Sequence, residues 1–525
     1  MVSIRYLLYA YRHYSSLSSN VRVRFAPSPT GCLHLGGLRT AFFNYLFAKK
    51  MKGKFILRIE DTDQKRIKPG SVENLNEMLK WTGLIPDESP SKGGSYGPYV
   101  QSERLRIYKE KIEDLLKSNA AYRCFCSETR LNIMKKDALQ RNESRGYDNK
   151  CRHLKESEIQ TLLNEGIPYT IRFKIPEEPV SHNDIIFGTH THSVSENEGD
   201  FVILKSDGFP TYHFACVVDD HLMYVSHVLR GTEWLISTPK HIMLYNAFGW
   251  TPPKYAHLPL LTNSDRTKLS KRQEAIGIDY FKNKGYFPEA LLNFLAIAGG
   301  GFGKQEGCIA YDLETLCSKF NLDQVNKNSC IVDFRKLDLL NNNYITRKLS
   351  NDEGFVELVR DFRRILKTKF GQRYEEERNK LTDSYLKKVL LCYKDRMTTL
   401  LEMTEKDMEY LWISPKYENV MQLLSNLRIP DSVIRSLKDV QYQLSLISSS
   451  DYNEEKLSSK LKEISSELKI KYSILMRTIR VVTTGQKDGP GVSEVLTMLG
   501  KEGCLEKLSA FIKEIELRES KIFLE

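Results

Sequence analysis

RFAPSPTGCLHLGG, Arg24 to Gly37, is the stretch from which the rest of the chain can be read. Val21 to Ala26 alternate as a strand does, Pro27 to Thr30 impose a non-helical turn, and Gly36 to Met51 carry the spacing of an amphipathic helix. The turn thus opens onto a helix N-terminus, where backbone N–H groups and the helix dipole favour an anion. Gly36 and Gly37 let a nucleotide approach the main chain, and His34 is expected to aim a hydrogen-bond donor at its phosphates. More than two hundred residues on, KLSKR (Lys268 to Arg272) is a second candidate phosphate-handling segment. Alone it would read as a solvated basic loop; paired with the first motif it points to one ATP reaction.

Further blocks stand between and around these two: RIEDTD at Arg58 to Asp63, TYHFACVVDDHLM at Thr211 to Met223, and LRGTEW at Leu229 to Trp234. With APSPTG, HLGG and KLSKR they make six blocks in an order that resembles a bacterial or organellar glutamyl-tRNA synthetase, from about Val21 to the C-terminus. The resemblance implies an α/β fold: a Rossmann-type class I synthetase catalytic domain with an inserted acceptor-binding domain, followed by α-helical connecting and anticodon-binding domains. The expected boundaries are 21–104 for the first catalytic half, 105–199 for the insertion, 200–255 for the second half, 256–344 for the connecting domain with the KLSKR loop, and 345–525 for the anticodon-binding region. Within the second half, FVILKSDGFPTYHFACVVDD and MYVSHVLRGTEW read as strands, Thr238 to Phe248 as a helix, and the chain after Trp250 as a linker. Beyond Ile345 the sequence is charged, Leu-rich and helix-patterned.

Composition agrees with that scale. A chain of 525 residues accommodates three or four folding units at roughly 100 to 200 residues each. A formal net charge of +11 suits a polyanionic partner without requiring one. No apolar run approaches the roughly 18 to 20 residues that span a bilayer; the nearest, Ala290 to Ala298, ends in three glycines. No membrane partner is expected. Residues 1–20 contain Arg5, Arg12, His13 and five serines, and no acidic residue precedes Glu60, which resembles a mitochondrial presequence and points to the matrix. Ten cysteines without disulfide-framework spacing read mostly as reduced core residues.

The resemblance implies the chemistry as well. Activation of an amino acid by in-line attack of its carboxylate on the α-phosphorus of ATP is largely a matter of positioning and electrostatic stabilisation, with Mg²⁺ sharing the charge. For L-glutamate, with two carboxylates and an ammonium, a pocket needs one acid and about two guanidinia. Arg24, Glu60 and Arg230 fill those roles in the matching blocks, with Ala26, Ser28, Tyr212 and Cys216 completing the pocket; Cys216 stands where many relatives carry Asn. Glu60 would take the ammonium and Arg230 the side-chain carboxylate. His34, Lys268 and Lys271 are the implied catalytic donors. Gly36, Gly37, Glu233, Leu261, Leu269, Ser270 and Arg272 complete the implied ATP contacts.

Two further features lie outside these blocks. CFC at Cys124 to Cys126 and CRH at Cys151 to His153 leave twenty-four residues between the pairs. They supply three thiolates and one imidazole, the count for tetrahedral zinc. The set resembles the structural zinc site in the acceptor-binding insertion of some bacterial members, where Tyr147 also has a counterpart. Arg396, in YKDRMTTL, lies near where an anticodon-reading arginine occurs in some relatives. The implied partner is tRNA(Glu), with tRNA(Gln) as a second acceptor left open, and a monomer is expected. A non-catalytic tRNA-binding protein of the same fold is the alternative; it would be expected to lose His34, Glu60 or Lys271, and all three are present.

Overall fold

The computed structural model describes residues 21–141, 147–263, 267, 277–303 and 310–522. The expected presequence, 1–20, and Lys268, Leu269, Ser270, Lys271 and Arg272 lie outside the described residues. The chain divides into two compact units, Met1–Leu340 and Asn341–Glu525.

In the first unit, β1 (Arg22–Phe25) pairs in parallel with β2 (Lys54–Leu57), Arg24 facing Ile56 across the ladder. Between them runs α1 (Leu35–Lys50). The strand, turn and helix fall where the sequence placed them, but the helix is not amphipathic: nine of its sixteen residues are buried, Arg39 and Asn44 among them. It is covered on several sides, β1 on one and the helices Pro288–Gly299 and Leu313–Lys319 on others. Phe43 meets Phe320 edge-on at 5.2 Å.

The expected division at 199/200 is interleaved instead. After α2 (Leu105–Lys117), β3 (Ala121–Cys124), β4 (Thr170–Phe173) and β7 (Val202–Leu204) form an antiparallel sheet in the order β3-β4-β7. The hairpin of β5 (Val180–Asp184) and β6 (Gly188–His192) leaves the insertion and joins β8 (His227–Gly231) and β9 (Lys254–Leu258) in the order β6-β5-β9-β8. β5 and β8 both run parallel to β9. The segment after Trp250 is therefore a strand, because KYAHL alternates into a ladder that a linker reading cannot see. Ser226 ties β1 to the start of β8, its N–H donating to the Arg22 carbonyl at 2.9 Å.

A second correction falls on TYHFACVVDD. Tyr212–Leu222 is a helix, α3, not a strand, and Phe214 through Asp220 are all buried. An apolar run buried on every side shows neither period, so its eleven residues, more than a usual strand, are the better guide. The next helix, α4 (Thr238–Ala247), matches expectation and has Pro239 in its first turn, where a missing N–H costs nothing.

The second unit is helical throughout its described residues. α5 (Asp352–Phe370) is capped by Asn351, whose side chain accepts from Glu353 and Gly354 N–H groups. Buried Trp412 packs edge-on against Phe362 at 4.9 Å. Leu437, Leu457, Leu475, Ile479 and Leu496 share a larger apolar core. Arg396 is exposed in the turn that follows the helix Asp383–Tyr393, rather than on a helix surface.

Candidate active site

His34 is the N-cap of α1, and its Nδ1 accepts from the Gly37 N–H at 3.1 Å. That bond places the ring proton of the neutral tautomer on Nε2. A Cβ at Gly37 would come to 2.9 Å from Leu33 and one at Gly36 to 3.3 Å from the His34 ring. The space these glycines leave is thus taken first by the capping imidazole, which sequence reasoning had aimed wholly at a ligand.

Behind this helix start lies a buried charge network. Asp220 receives Arg24 Nε at 3.1 Å and Arg58 Nη1 at 2.7 Å; Arg58 Nη2 reaches Glu60 at 2.8 Å. Asp219 receives Arg104 Nε at 2.7 Å, Gln101 at 2.9 Å and the Tyr108 hydroxyl at 2.8 Å. Arg24, Arg58 and Arg104 are thereby matched by Glu60, Asp219 and Asp220, all six side chains at most 4 % exposed. Burial pushes Asp220 up, but the two guanidinia outweigh it and hold the carboxyl below its usual range. At Glu60 burial wins over Arg58 and Arg24, and its carboxyl is raised. Cys216 sits among these groups, its Sγ 3.5 Å from Asp220 and 3.8 Å from Arg24; burial pushes the thiol up to about 12, so it is a neutral donor.

Arg230 is different. Its guanidinium donates to His257 Nε2 at 3.0 Å, the Tyr212 hydroxyl at 3.3 Å, the Trp234 carbonyl at 3.1 Å and Thr238 Oγ1 at 2.9 Å, with His241 Nδ1 at 3.4 Å. None is a carboxylate, and among the described residues no acid pairs directly with Arg230 although the residue is 4 % exposed. The nearest acid acts at one remove, Asp184 lying 2.7 Å from His257 Nδ1. Burial lowers the His257 pKa more than Asp184 raises it. A neutral ring therefore donates its Nδ1–H to Asp184 and accepts a hydrogen bond from Arg230 at Nε2. Arg24, Arg58 and Arg104 are thus paired with three acids, whereas Arg230 has only neutral partners.

The structure thus brings together Arg24, Glu60, Tyr212, Cys216 and Arg230. Ala26 is half-buried and Ser28 exposed in the turn after β1, where Ser28 carbonyl accepts from Thr30. Glu233 is exposed in the turn Thr232–Ser237, and Leu261 is buried in the short strand β10 (Leu261–Thr262), which pairs with Cys330–Ile331. Arg58, Asp219, Asp220, Asp184 and His257 escaped the sequence reading. Three of them lie inside quoted blocks, where the adjacent Asp219 and Asp220 in an apolar run were the available signal.

The thiols converge as expected, but the imidazole does not. Sγ atoms of Cys124, Cys126 and Cys151 lie within 4.8 Å of one another. His153 is exposed and stands outside the group. The place beside the thiols is held by Tyr147, whose hydroxyl is 3.3 Å from Cys124, 3.5 Å from Cys126 and 3.1 Å from the Cys151 N–H. Hydrogen bonds from Cys151 and Tyr147 draw the Cys124 thiol down to about 4, against the burial that opposes it. Three converging thiols are the donor chemistry a soft divalent ion selects. The C-x-H spacing failed as a signal because His153 ends a short turn, Lys150–His153, that points its last residue to solvent.

Comparison with known proteins follows the same lines. The family described as tRNA synthetases class I (E and Q), catalytic domain, matches residues 20–339, and the one described as anticodon binding domain matches 354–512. A glutamate–tRNA ligase of Clostridioides difficile (strain 630) is 40% identical over 505 residues, 94% of this chain and 99% of that protein. One of Chloroherpeton thalassium is 39% identical over 510 residues, 95% and 99% of the two chains. The crystal structure of a glutamate tRNA ligase from Elizabethkingia meningosepticum in complex with its amino acid superposes with a TM-score of 0.74 at 32% identity, covering 94% of this chain and 99% of its own.

Proposed function

The chain belongs to the class I tRNA synthetases for glutamate and glutamine, as a bacterial-type glutamate–tRNA ligase, and we propose that it serves translation in the mitochondrial matrix with Arg230 as the reader of the glutamate side chain. The observation that carries the substrate assignment is the buried Arg230 guanidinium, whose partners are all neutral. The pocket holds one positive charge in excess, and glutamate brings one negative charge in excess. Glutamine would leave Arg230 uncompensated, which disfavours it by the cost of an unpaired buried charge.

In this reading Arg24 and Glu60 receive the α-carboxylate and α-ammonium, with Ala26, Ser28, Tyr212 and Cys216 lining the pocket. His34 Nε2, Lys268 and Lys271 stabilise the phosphates of ATP while the carboxylate attacks the α-phosphorus and pyrophosphate leaves. Gly36, Gly37, Glu233, Leu261, Leu269, Ser270 and Arg272 surround the nucleotide. Mg²⁺, bound with ATP, would share the charge of the phosphates. Glutamate then passes to the 3′ end of tRNA(Glu), with Arg396 touching the anticodon. Zinc is proposed as a structural ion on Cys124, Cys126 and Cys151, with Tyr147 rather than His153 beside it. The basic, acid-free first twenty residues support mitochondrial import, and the enzyme is expected to act as a monomer.

ATP-dependent attachment of radiolabelled glutamate to mitochondrial tRNA(Glu) and tRNA(Gln), side by side, tests this reading. Charging of tRNA(Glu) alone makes the enzyme discriminating; charging of both makes it the source of a mischarged tRNA for amidation. Charging of neither by folded protein would refute the assignment. Fractionation of tagged full-length chain tests the compartment, and a signal confined to the cytosol would overturn it.

A further inference from the structure

The β5–β6 hairpin carries three histidines for which the glutamate and ATP sites have no use. In its antiparallel register His182 faces His190 directly, and Val180 faces His192. Side chains two apart on a strand share a face, so His190 and His192 lie beside one another, with His182 across from them. The three rings form a nearly equilateral triangle: centroids are 5.8 Å apart for His182 and His190, 6.1 Å for His182 and His192, and 6.2 Å for His190 and His192. No acidic side chain pairs with any of them among the described residues. Asp184, two residues along β5, is committed to His257 and to the N–H groups of Ile186 and Phe187.

What sets this group apart is its unmet hydrogen bonding. His182 is 7 % exposed, and both its ring nitrogens are buried without a partner; so are Nε2 of His190 and Nε2 of His192. A neutral imidazole has one donor and one acceptor to satisfy. An orphaned buried polar group is destabilising, and four together on three adjacent rings call for an explanation. Protonation does not supply it, because three imidazolium ions within this spacing would repel one another with no carboxylate to offset them. An electrophile that accepts imidazole lone pairs does.

The ring centres leave room for one ion, although the nitrogens as they stand do not converge as the cysteine sulfurs do. The centre of the triangle lies about 3.5 Å from each centroid. A zinc ion at the usual 2.0–2.1 Å from an imidazole nitrogen lies about 3.2 Å from that ring's centre. The rings now lie within 16–28° of parallel, and each must turn about its terminal torsion, a soft one, to bring a nitrogen inward. We propose that His182, His190 and His192 form a second metal site, specific for a divalent transition ion of the imidazole-preferring class such as Zn²⁺, that staples β5 to β6 within the hairpin. It shares no residue with the cysteine cluster. Nor does it depend on that cluster binding zinc.

Metal titration of the chelator-treated full-length chain tests this, with Co²⁺ as the spectroscopic probe and Zn²⁺ by calorimetry. Thiolate ligation gives intense near-ultraviolet charge-transfer bands, whereas an imidazole site gives only weak visible ones. In the Cys126→Ser background, where the thiolate site is disabled, visible bands are expected to persist, and to vanish in Cys126→Ser/His190→Gln and in Cys126→Ser/His192→Gln. The accompanying Zn²⁺ affinity should fall at least about 100-fold in either variant, more than the loss of an outer-shell partner produces. Both residues are only half-buried strand positions, so circular dichroism should show each variant folded, and either one suffices if the other is not. Zn²⁺ should also raise the melting temperature of Cys126→Ser but not of Cys126→Ser/His190→Gln. Binding that disappears entirely with Cys126→Ser, or that is indifferent to both histidine substitutions, overturns the proposal.

Discussion

Arg230 Nε donates to His257 Nε2 at 3.0 Å, and this bond joins the buried guanidinium, the proposed reader of the glutamate side chain, to a strand that is not its own. His257 is held in turn by Asp184 on the hairpin, through Nδ1 at 2.7 Å. The imidazole thus works as a rigid spacer that fixes the direction of the guanidinium without neutralising it. A carboxylate placed directly against Arg230 would have cancelled the charge that the substrate is needed to cancel.

His257→Gln should therefore disturb aim rather than chemistry. A hydrogen bond to a charged group contributes roughly 1.5–3 kcal/mol, so KM for glutamate should rise about 10- to 100-fold while KM for ATP stays near its wild-type value. Asp184→Asn should move the same constants in the same direction and by less. Pyrophosphate exchange at varied glutamate measures both, and an unchanged glutamate KM in His257→Gln would show that Arg230 is held by its other partners.

The Asp220 carboxylate serves two buried arginines, and Asp220→Asn leaves Arg24 without a carboxylate and Arg58 to Glu60 and Asp219. The expected cost is about 3–5 kcal/mol of stability, the range for breaking a buried pair from one side. Glu110→Gln removes an ion pair with Arg106 that is open to water, side chains 93 % and 60 % exposed, and should cost less than about 0.5 kcal/mol. Denaturant midpoints of the two variants check the contrast; equal midpoints would mean that the network is relaxed by water.

His34 is the cap of α1 and the proposed phosphate donor, and two substitutions separate these roles. Asparagine is among the best N-caps and alanine a poor one, so His34→Ala should lose about 1 kcal/mol of stability and His34→Asn almost none. Both should lose adenylate formation by a factor of 10² or more, the scale for removal of one transition-state donor. Activity retained in His34→Asn would reduce the histidine to a cap.

Two buried histidines, His241 and His257, and two half-buried ones, His213 and His227, set an acid limit on the first unit. Burial holds His213 down to about 3 and His227 to about 4, and lowers His241 and His257 as well. Each has a folded pKa below its unfolded value near 6.5. Below pH 6.5 the unfolded chain takes up protons that the folded one refuses. Their contribution is thus complete above that pH and is lost as pH falls toward 4, by up to roughly 1.4 kcal/mol per pH unit for each group. Denaturation followed by tryptophan fluorescence between pH 8 and 4 should show stability falling from just below neutrality; a curve flat down to pH 5 would contradict it.

Zinc content distinguishes the two readings of the cysteine cluster. Cys126→Ser should release the proposed ion from that cluster, whereas His153→Gln should keep it, since the imidazole stands clear of the sulfurs. Thiolate-to-Co²⁺ charge transfer in the two variants is the readout, and its loss in His153→Gln would restore the imidazole as a ligand.

Much was legible from the residues alone. The strand, turn and helix from Arg22 to Lys50, the order of the blocks, the helical second unit and the convergence of Arg24, Glu60, Tyr212 and Arg230 all follow from local patterns or from the resemblance those patterns carry. Proline, glycine and a single capping histidine act within a few residues of themselves, and sequence records such effects directly. Tertiary structure decided what neighbours cannot: that Asp220 would serve Arg24 and Arg58 across 196 and 162 residues, and that a strand from the insertion would carry the support for Arg230. It also turned TYHFACVVDD into a helix and left His153 outside the thiols. In each case the outcome depends on which distant groups share one buried volume. There a charge must find its complement wherever the fold brings it, and the periodicity that marks a half-exposed element is lost.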